Sequence, residues 1–589
     1  MQSSVPTLQQ EMLRRRLPAV IIVLLVASSI LVIRMILFQA PQDPRVASYV
    51  QQIREANQFT TERQTSPRGT IYDRNGQPLA VNTLQYRIGI SPNIISDRES
   101  AVQQLSIILD RDPLEISQLL NPNRTYALLA TDVDPETWRQ IDDLDFLSSS
   151  IRPETIPRRY YPQSIAGPLL GIVAGDGNGV RGYNGIEGYY EAELAGRVRD
   201  QEISRIPFDL PEEESSMLER GADLVLTLDS DIQFLVEETL ANAVQTTGAG
   251  GGTIIVMNPK NGDILAMASY PTFDPNRPPF DNQQALRNPA ISEVYEPGSV
   301  FKILTVAAGL DEGVITQDWT YFDNGLKEVG SKQIQNWDDR AYGVVDVTSL
   351  LVNSLNVGAA TVAVDELGKD AFYRRVAAFG IGQRTGVDLE GEERGILRFP
   401  GDELWSESDL GTNSYGQGVA TTPLQMLNAT NVIANGGLLI QPRIVSQIVR
   451  GTDVVNLDPV VVRRVISPET ARTVSEMMVA VVNEGVDDAA GLSGYTIAGK
   501  TGTAQIPTPT GFELNRFKMT FVGFLPADDP QISILVKLDR PTSGQFASQT
   551  AAPVFRRLVE QLVLVFEIPN DALRFQIAAE GGVIGGIDR

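Results

Sequence analysis

The longest apolar run in the chain is "LPAVIIVLLVASSILVIRMILF", Leu17 to Phe38, 22 residues interrupted mainly by Ser28, Ser29 and Arg34. As a helix it is long enough to cross the hydrocarbon core of a bilayer. Arg14, Arg15 and Arg16 stand directly before it, which predicts a cytoplasmic N-terminus because basic residues are retained on that side. Arg34 lies near the far end, where its long side chain can reach the interface. A cleaved signal peptide is the competing reading. The run exceeds an ordinary signal core and no A-x-A site follows Phe38, which favours an uncleaved anchor. The expectation is a cytoplasmic tail over 1–16, a transmembrane helix over 17–38 and everything later on the outer face of the cytoplasmic membrane.

Beyond the anchor the pattern changes twice. Residues 39–60 are polar and Gln-rich, a stalk. Residues 61–215 show many short elements and read as a mixed domain. Within it, "SPRGTIYDRNGQPLA" (Ser66 to Ala80) holds an Asn75-Gly76 turn between apolar runs, a hairpin signal. "GYNGIEGYYEAELAG" (Gly182 to Gly196) places Ile186, Tyr190 and Leu194 at helical spacing. The acidic, turn-prone "PEEESSMLERGAD" (Pro211 to Asp223) marks a boundary. Residues 221–566 then behave as one larger domain. Ser230 can cap a helix running to about Val244, and "GGTIIVMNPKNGDILAMASY" (Gly251 to Tyr270) is a hairpin around Asn261-Gly262. Near the end, "YTIAGKTGTAQI", "KMTFVGFLPA" and "QISILVKLDR" read as three successive strands, followed by a helix over 550–566. Strands at both ends with helices between predict an α+β fold, an antiparallel sheet covered by helices rather than a doubly wound parallel one. Residues 567–589 carry no strong signal.

Composition narrows the chemistry. A chain of 589 residues calls for two or three domains. A net charge of −24 argues against nucleic acid as a partner, since phosphate binding needs clustered basic residues. There is no histidine and no cysteine. That removes Ser-His-Asp and Cys-His machinery, disulfides, and zinc sites built on imidazole or thiolate. No EF-hand loop or similar ligand ladder is present, so neither metal nor cofactor is expected. Of 49 basic residues only eight are lysine. Arginine cannot shed its proton under working conditions, whereas a desolvated lysine can, so each lysine is a candidate for acid/base work. Lys327, Lys332 and Lys369 lie in polar surroundings and read as solvated.

Three motifs carry that chemistry. In "YEPGSVFK" (Tyr295 to Lys302) a Pro-Gly turn leads into "SVFKILTVAAGL", a nearly continuous apolar helix. Ser299 and Lys302 then share a face, and burial at the positive helix end disfavours an ammonium. The same helix end offers N–H groups to an oxyanion. A capping serine beside a snorkelling lysine fits this motif equally, and S-x-x-K alone is weak. In "LLVNSLNVGAA" (Leu350 to Ala360), Ser354 and Asn356 are polar groups in an apolar run and need partners, or satisfy themselves within a turn. In "IAGKTGTAQI" (Ile497 to Ile506), glycines interrupt a strand, either as a bulge or because a ligand or backbone comes close. Lys500 supplies positive charge there, and Gly502 would leave room for a substrate chain.

S-x-x-K, S-x-N about 55 residues later and K-T-G about 146 further on form the signature of penicillin-interacting serine acyltransferases. The chain resembles a class B penicillin-binding protein, a peptidoglycan D,D-transpeptidase, over essentially its whole length. "RGTIYDRNGQPLA" and "GIEGYYEAELAG" look like the family's pedestal motifs. "LTLDSDIQ", "NPKNGDILAMASYPTFDPN" and "YGQG" (Tyr415 to Gly418) look like its transpeptidase landmarks. The resemblance implies a penicillin-binding, β-lactamase-like transpeptidase domain over 221–566, an N-terminal mixed pedestal over 61–215 and one transmembrane helix.

By the same resemblance, the substrate is a peptidoglycan stem peptide ending in D-Ala-D-Ala, on a lipid-linked precursor or nascent glycan. Ser299 would be the nucleophile and Lys302 its base. Ser354 would relay a proton to the leaving amine, and Asn356 would orient Lys302 and bind the substrate amide. Lys500 would keep Ser354 poised and, with Thr501 and Thr503, attract the terminal carboxylate. The backbone N–H groups of Ser299 and Thr503 would form the oxyanion hole. "NSLNVGAATVAVDELG" and "FGIGQRTGVDLEGEERG" look closer to division-type than to elongation-type proteins. Either type implies a SEDS-family glycosyltransferase and other cell-wall machinery as partners. The alternatives are a β-lactamase or carboxypeptidase, for which Glu390, Glu392 or Glu393 would have to serve as a deacylating base, and a non-catalytic β-lactam sensor or scaffold.

Overall fold

A computed structural model describes residues 8–39, 48, 59–175, 180–196, 198–204, 220–485, 487–508 and 511–580. The chain forms two units. In the first, the apolar run lies inside a longer helix, Leu8–Gln39, whose Leu17–Met35 stretch buries nothing against protein, as a lipid-facing helix requires. The same unit holds an antiparallel ladder, Phe59–Thr65 on Val198–Ser204. Most of the 39–60 stalk and the acidic boundary up to residue 219 lie outside the described residues.

In the second unit, the Asn75-Gly76 turn joins Ile71–Tyr72 to Pro78–Ile90. Gly76 has φ +80°, a left-handed conformation that glycine adopts without steric cost. Asp73 fixes the turn by accepting from the Asn75 and Gln77 amides, both at 2.8 Å. Its other oxygen takes the Ser230 hydroxyl at 2.6 Å. That bond corrects the expected cap. With Ser230 committed to Asp73, Asp229 caps the Ser230–Thr247 helix instead, through the Asp231 and Ile232 amides.

The long Pro78–Ile90 strand pairs with Ala127–Val133 and Ile151–Tyr160. Ile71–Tyr72 runs parallel to Asp223–Leu226, which pairs in turn with Val445–Arg450. One seven-stranded sheet therefore takes strands from both sides of the expected 215–221 boundary. "GIEGYYEAEL" forms two short helices, Gly185–Tyr189 and Glu191–Leu194, rather than one. Ile186, Tyr190 and Leu194 are all buried, as their spacing requires. Between them Glu187 is fully buried, paired with Arg68 and Arg159 at 2.6 Å each.

The functional frame is a five-stranded antiparallel sheet in the order Ile264–Tyr270, Gly251–Met257, Ile532–Asp539, Gly511–Leu525, Ala498–Thr508. Period-2 alternation gives it two apolar faces. Ile254, Val256, Phe521 and Ile534 meet the Ser230–Thr247 and Ala551–Val565 helices, with the Phe521 and Phe555 rings 4.5 Å apart. Ile255, Met257, Val522 and Leu535 point the other way, into the core that includes the Lys302–Asp311, Pro423–Ala434 and Pro468–Glu484 helices. Burying each large side chain contributes roughly 1.5–3 kcal/mol, so a sheet sandwiched between helices is a stiff platform. A last helix, Asp571–Ala579, lies within the 567–589 tail, where no strong pattern stands out. Its one buried residue is Arg574, ion-paired with Asp528, so hydrophobic periodicity does not mark it.

Burial alone would raise the Glu187 carboxyl, but Arg159 and Arg68 outweigh it and hold it below the ordinary range. Glu187→Gln leaves the buried Arg159 without its carboxylate and Arg68 with Glu191 alone, and should cost about 3–5 kcal/mol. Glu154→Gln, which breaks the exposed Arg87 pair, should cost no more than about 1 kcal/mol. Denaturant unfolding of the two variants checks the contrast.

Candidate active site

Pro297-Gly298 does not open directly into an α-helix. Gly298–Phe301 is a single 3-10 turn, and the α-helix begins at Lys302. Three residues per turn eclipse positions i and i+3, which stacks the Lys302 side chain on Ser299. Gly298 has φ +60°, again a glycine conformation. Lys302 through Gly309 are all buried, and Lys302 itself has no exposed surface. Its Nζ lies 3.0 Å from Ser299 Oγ, 2.5 Å from the Ser354 carbonyl oxygen and 3.1 Å from Ser354 Oγ. Among the described residues no carboxylate pairs with it.

Ser354 sits between the Val347–Val352 and Asn356–Thr361 helices at φ +55°. A non-glycine residue held there carries strain of about 1–3 kcal/mol, and the result is that its carbonyl and its hydroxyl both face Lys302. Asn356 is two residues on, but its amide nitrogen donates to the Gln335 carbonyl at 2.9 Å, not to Lys302.

The third motif lies on Ala498–Thr508, which pairs with Gly511–Leu525 and is an edge of the five-stranded sheet. Lys500 is fully buried, and its Nζ lies 3.4 Å from Asp487 Oδ2 and 3.4 Å from Thr501 Oγ1. The Thr501 hydroxyl donates to Asp487 at 2.7 Å, so it is turned from the cleft that its residue lines. Thr503 Oγ1 accepts from the Ala547 amide at 3.2 Å and keeps its proton to donate. Gly502 makes room for protein rather than for a substrate chain. A Cβ there would meet the Pro297 carbonyl oxygen at 2.5 Å and Val300 Cγ2 at 2.8 Å, so the glycine lets the motif strand approach the nucleophile turn.

These segments enclose a cleft of about 400 Å³ lined by Ser299, Ser354, Asn356, Thr501 and Thr503. Trp337 and Phe546 line it as well, their rings edge to face at 5.5 Å, with Trp337 Nε1 donating to the Asn353 carbonyl at 3.0 Å. The sequence motifs point to neither aromatic, nor to Asp487. Trp337 and Phe546 come from segments outside the three motifs, and Asp487 stands 14 residues before Thr501. No carboxylate lines the cleft among the described residues. Glu392 is bound to Thr385 and Gly386 and Glu393 pairs with Arg287, while Glu390 lines a different cavity.

Burial pushes the Lys302 amine well below the ordinary lysine range, and the nearby Lys500 charge adds to the effect. A neutral amine has two N–H donors and one lone pair. Ser354 can take the donors, leaving the lone pair for the Ser299 proton. The site can therefore generate a serine nucleophile without histidine.

The family model "Penicillin binding protein transpeptidase domain" matches residues 252–560, and "Penicillin-binding Protein dimerisation domain" matches 63–225. The chain is 32% identical to stage V sporulation protein D of Bacillus subtilis, over 83% of this chain and 76% of that protein. It is 33% identical to penicillin-binding protein PbpB of Mycolicibacterium smegmatis, over 78% and 72%. Among solved structures, penicillin binding protein 3 from Mycobacterium tuberculosis complexed with aztreonam superposes with a TM-score of 0.67 at 28% identity, covering 86% of this chain and 98% of that one.

The depressed Lys302 proton affinity has a stability consequence. Below the unfolded lysine value of about 10.4, the unfolded chain holds a proton at Lys302 that the native one lacks. Native stability then falls with falling pH, by up to about 1.4 kcal/mol per unit, until the folded value is reached. Lys302→Met removes this titration. Urea unfolding over a series of pH values descending from 10 should show wild type losing stability relative to the variant until the folded value is passed, and parallel curves would count against a depressed amine.

Proposed function

The chain belongs to the penicillin-binding protein transpeptidases, and on that premise we propose that Ser299 is its acyl-accepting nucleophile and Lys302 the base that activates it. The protein is a membrane-associated peptidoglycan D,D-transpeptidase of the division-type class B group, and a target of β-lactams. It is a single-pass membrane protein with its N-terminus inside. The observation that carries the residue roles is the 3.0 Å contact between Ser299 Oγ and a fully buried Lys302 amine.

The substrate is a stem peptide ending in D-Ala-D-Ala. Ser299 Oγ attacks the penultimate carbonyl as its proton passes to Lys302. The oxyanion that forms is held by the N–H groups of Ser299 and Thr503, each worth about 3 kcal/mol. Collapse breaks the peptide bond. Lys302 returns the proton through Ser354 to the departing amine, D-Ala leaves, and an ester to Ser299 remains. The amine of a neighbouring stem peptide then attacks that ester, its proton passes along the same path to Ser299 Oγ as the ester C–O bond breaks, and the new amide is the cross-link. Lys500 and Thr503 attract the terminal carboxylate, and Asn356 binds the substrate amide. The Thr501 hydroxyl is committed to Asp487 rather than to the substrate carboxylate. Among the described residues no carboxylate lines the cleft, which argues against a hydrolase in which a carboxylate activates the deacylating water.

The glycan strands to be cross-linked require a polymerising partner. We assign this to a SEDS-family glycosyltransferase, engaged through the membrane helix and the 61–215 pedestal. Tagged full-length protein should co-purify with that partner from detergent, and replacing residues 17–35 by an unrelated apolar helix should weaken recovery at least fivefold.

Labelling with a fluorescent penicillin tests the catalytic assignment. Ser299→Ala should abolish labelling. Lys302→Arg keeps the charge but cannot accept the proton, and should slow labelling by at least a hundredfold. Ready labelling of the arginine variant would remove Lys302 from the base role.

A further inference from the structure

Asp487 lies three residues beyond the end of the Pro468–Glu484 helix and is absent from every motif of the site. It is fully buried. A buried carboxylate must be paired and hydrogen-bonded to persist, and the donors to Asp487 come from the motif strand. Its Oδ2 accepts from the Thr501 amide at 2.9 Å and lies 3.4 Å from Lys500 Nζ, while Oδ1 accepts from the Thr501 hydroxyl at 2.7 Å.

The amide contact has a geometric consequence. Ala498–Thr508 is an edge strand, paired with Gly511–Leu525 in the register Thr501 to Phe521 and Thr503 to Met519. In an antiparallel ladder, amides alternate between the partner strand and the open side. Since the Thr501 amide is turned outward to Asp487, the Thr503 amide two residues on is turned outward too. Asp487 therefore closes the sheet edge at Thr501, and the next outward donor faces the cleft beside Ser299. It also divides the two buried lysines of the site: Lys500 has a carboxylate beside it, and Lys302 has only neutral oxygens.

We propose that Asp487 is a positioning residue for acyl transfer, fixing the Lys500–Thr503 strand segment so that the Thr503 amide is aimed at the oxyanion and Lys500 is held against the strand. This rests on the transpeptidase reading above. Asp487 touches neither substrate nor the reacting atoms and acts through Lys500 and Thr501. Slackening the segment lowers the rate of the chemical step in molecules that are otherwise intact.

The test uses the full-length protein in detergent, with a time course of fluorescent-penicillin labelling across a range of concentrations. This separates the precovalent dissociation constant from the acylation rate constant, with Ser299→Ala as the blank. Asp487→Asn should slow acylation at least tenfold, with the dissociation constant within threefold and the final labelled fraction equal to that of wild type. A merely structural role would lower the labelled fraction and leave the rate of the surviving molecules unchanged. That result, or a rate within twofold of wild type, overturns the proposal. Should Asp487→Asn fail to fold, Thr501→Val removes one of the three contacts. A rate at least twofold slower then supports the proposal, and an unchanged rate sinks it. If wild type itself is not labelled at Ser299, the transpeptidase reading fails. A labelled wild type with an indifferent Asp487 variant removes this inference alone.

Discussion

Lys302 is buried completely, 3.0 Å from a serine hydroxyl, and among the described residues no carboxylate pairs with it. An amine in that position is cheaper to keep neutral than charged, and much of the surrounding structure follows from keeping it so. The 3-10 turn puts Ser299 on the same face. The left-handed Ser354 supplies two oxygens from one residue, which satisfies the amine's donors without a carboxylate that would draw the proton back. Lys500 adds a repelling charge from the neighbouring strand. Once Lys500 is buried, it needs an anion of its own, and Asp487 supplies it.

The architecture separates the rigid from the reactive. Both faces of the five-stranded sheet are packed against helices, and the candidate site lies at the edge strand, in the seam where it meets the Gly298–Phe301 turn and the segment carrying Ser354 and Asn356. An exposed edge is ordinarily a liability because its unpaired amides invite another strand. Here the edge is part closed by protein and part left for a ligand. Gly502 allows the close approach that makes the seam narrow, since any Cβ there would collide with the Pro297 carbonyl. Trp337 and Phe546 bring the two sides of the cleft into ring contact.

The sequence exposed most of this where the pattern is local. Strand alternation with Asn-Gly turns located both hairpins, and three short apolar runs near the end located three strands of the sheet. The S-x-x-K, S-x-N and K-T-G spacings brought Ser299, Lys302 and Ser354 together. What stayed hidden depended on partners far apart in the chain. Nothing near Ser230 reveals that Asp73 will claim its hydroxyl, so the cap moved by one residue. The bond from Thr501 to Asp487 joins positions 14 residues apart across an unpatterned loop, and the Asp571–Ala579 helix is held by an arginine ion pair that hydrophobic periodicity does not register. Strand pairing across the 215–221 boundary is likewise a tertiary choice, since Ile71–Tyr72 has only two residues with which to announce a parallel neighbour.

Scarcity of lysine proved to mark burial more than catalysis. Lys302, Lys500 and Lys537 have no exposed surface, but Lys537 serves structure. It pairs with Asp539 at 2.7 Å under the ring of Tyr295, beside Lys518 and Glu293. Burial would raise the Asp539 carboxyl, yet Lys537 and Lys518 outweigh it and hold it below the ordinary range. Arg68 and Arg159 are nearly as buried, both on Glu187, and arginine suits that place because its planar fork can engage several acceptors and never gives up its proton. What distinguishes Lys302 from every one of these is therefore not burial but the missing carboxylate. A buried cation that must stay charged is given an anion, and one that must lose its proton is given only neutral oxygens. That contrast supports the proposed role of Lys302 as the base, a distinction that burial alone does not draw.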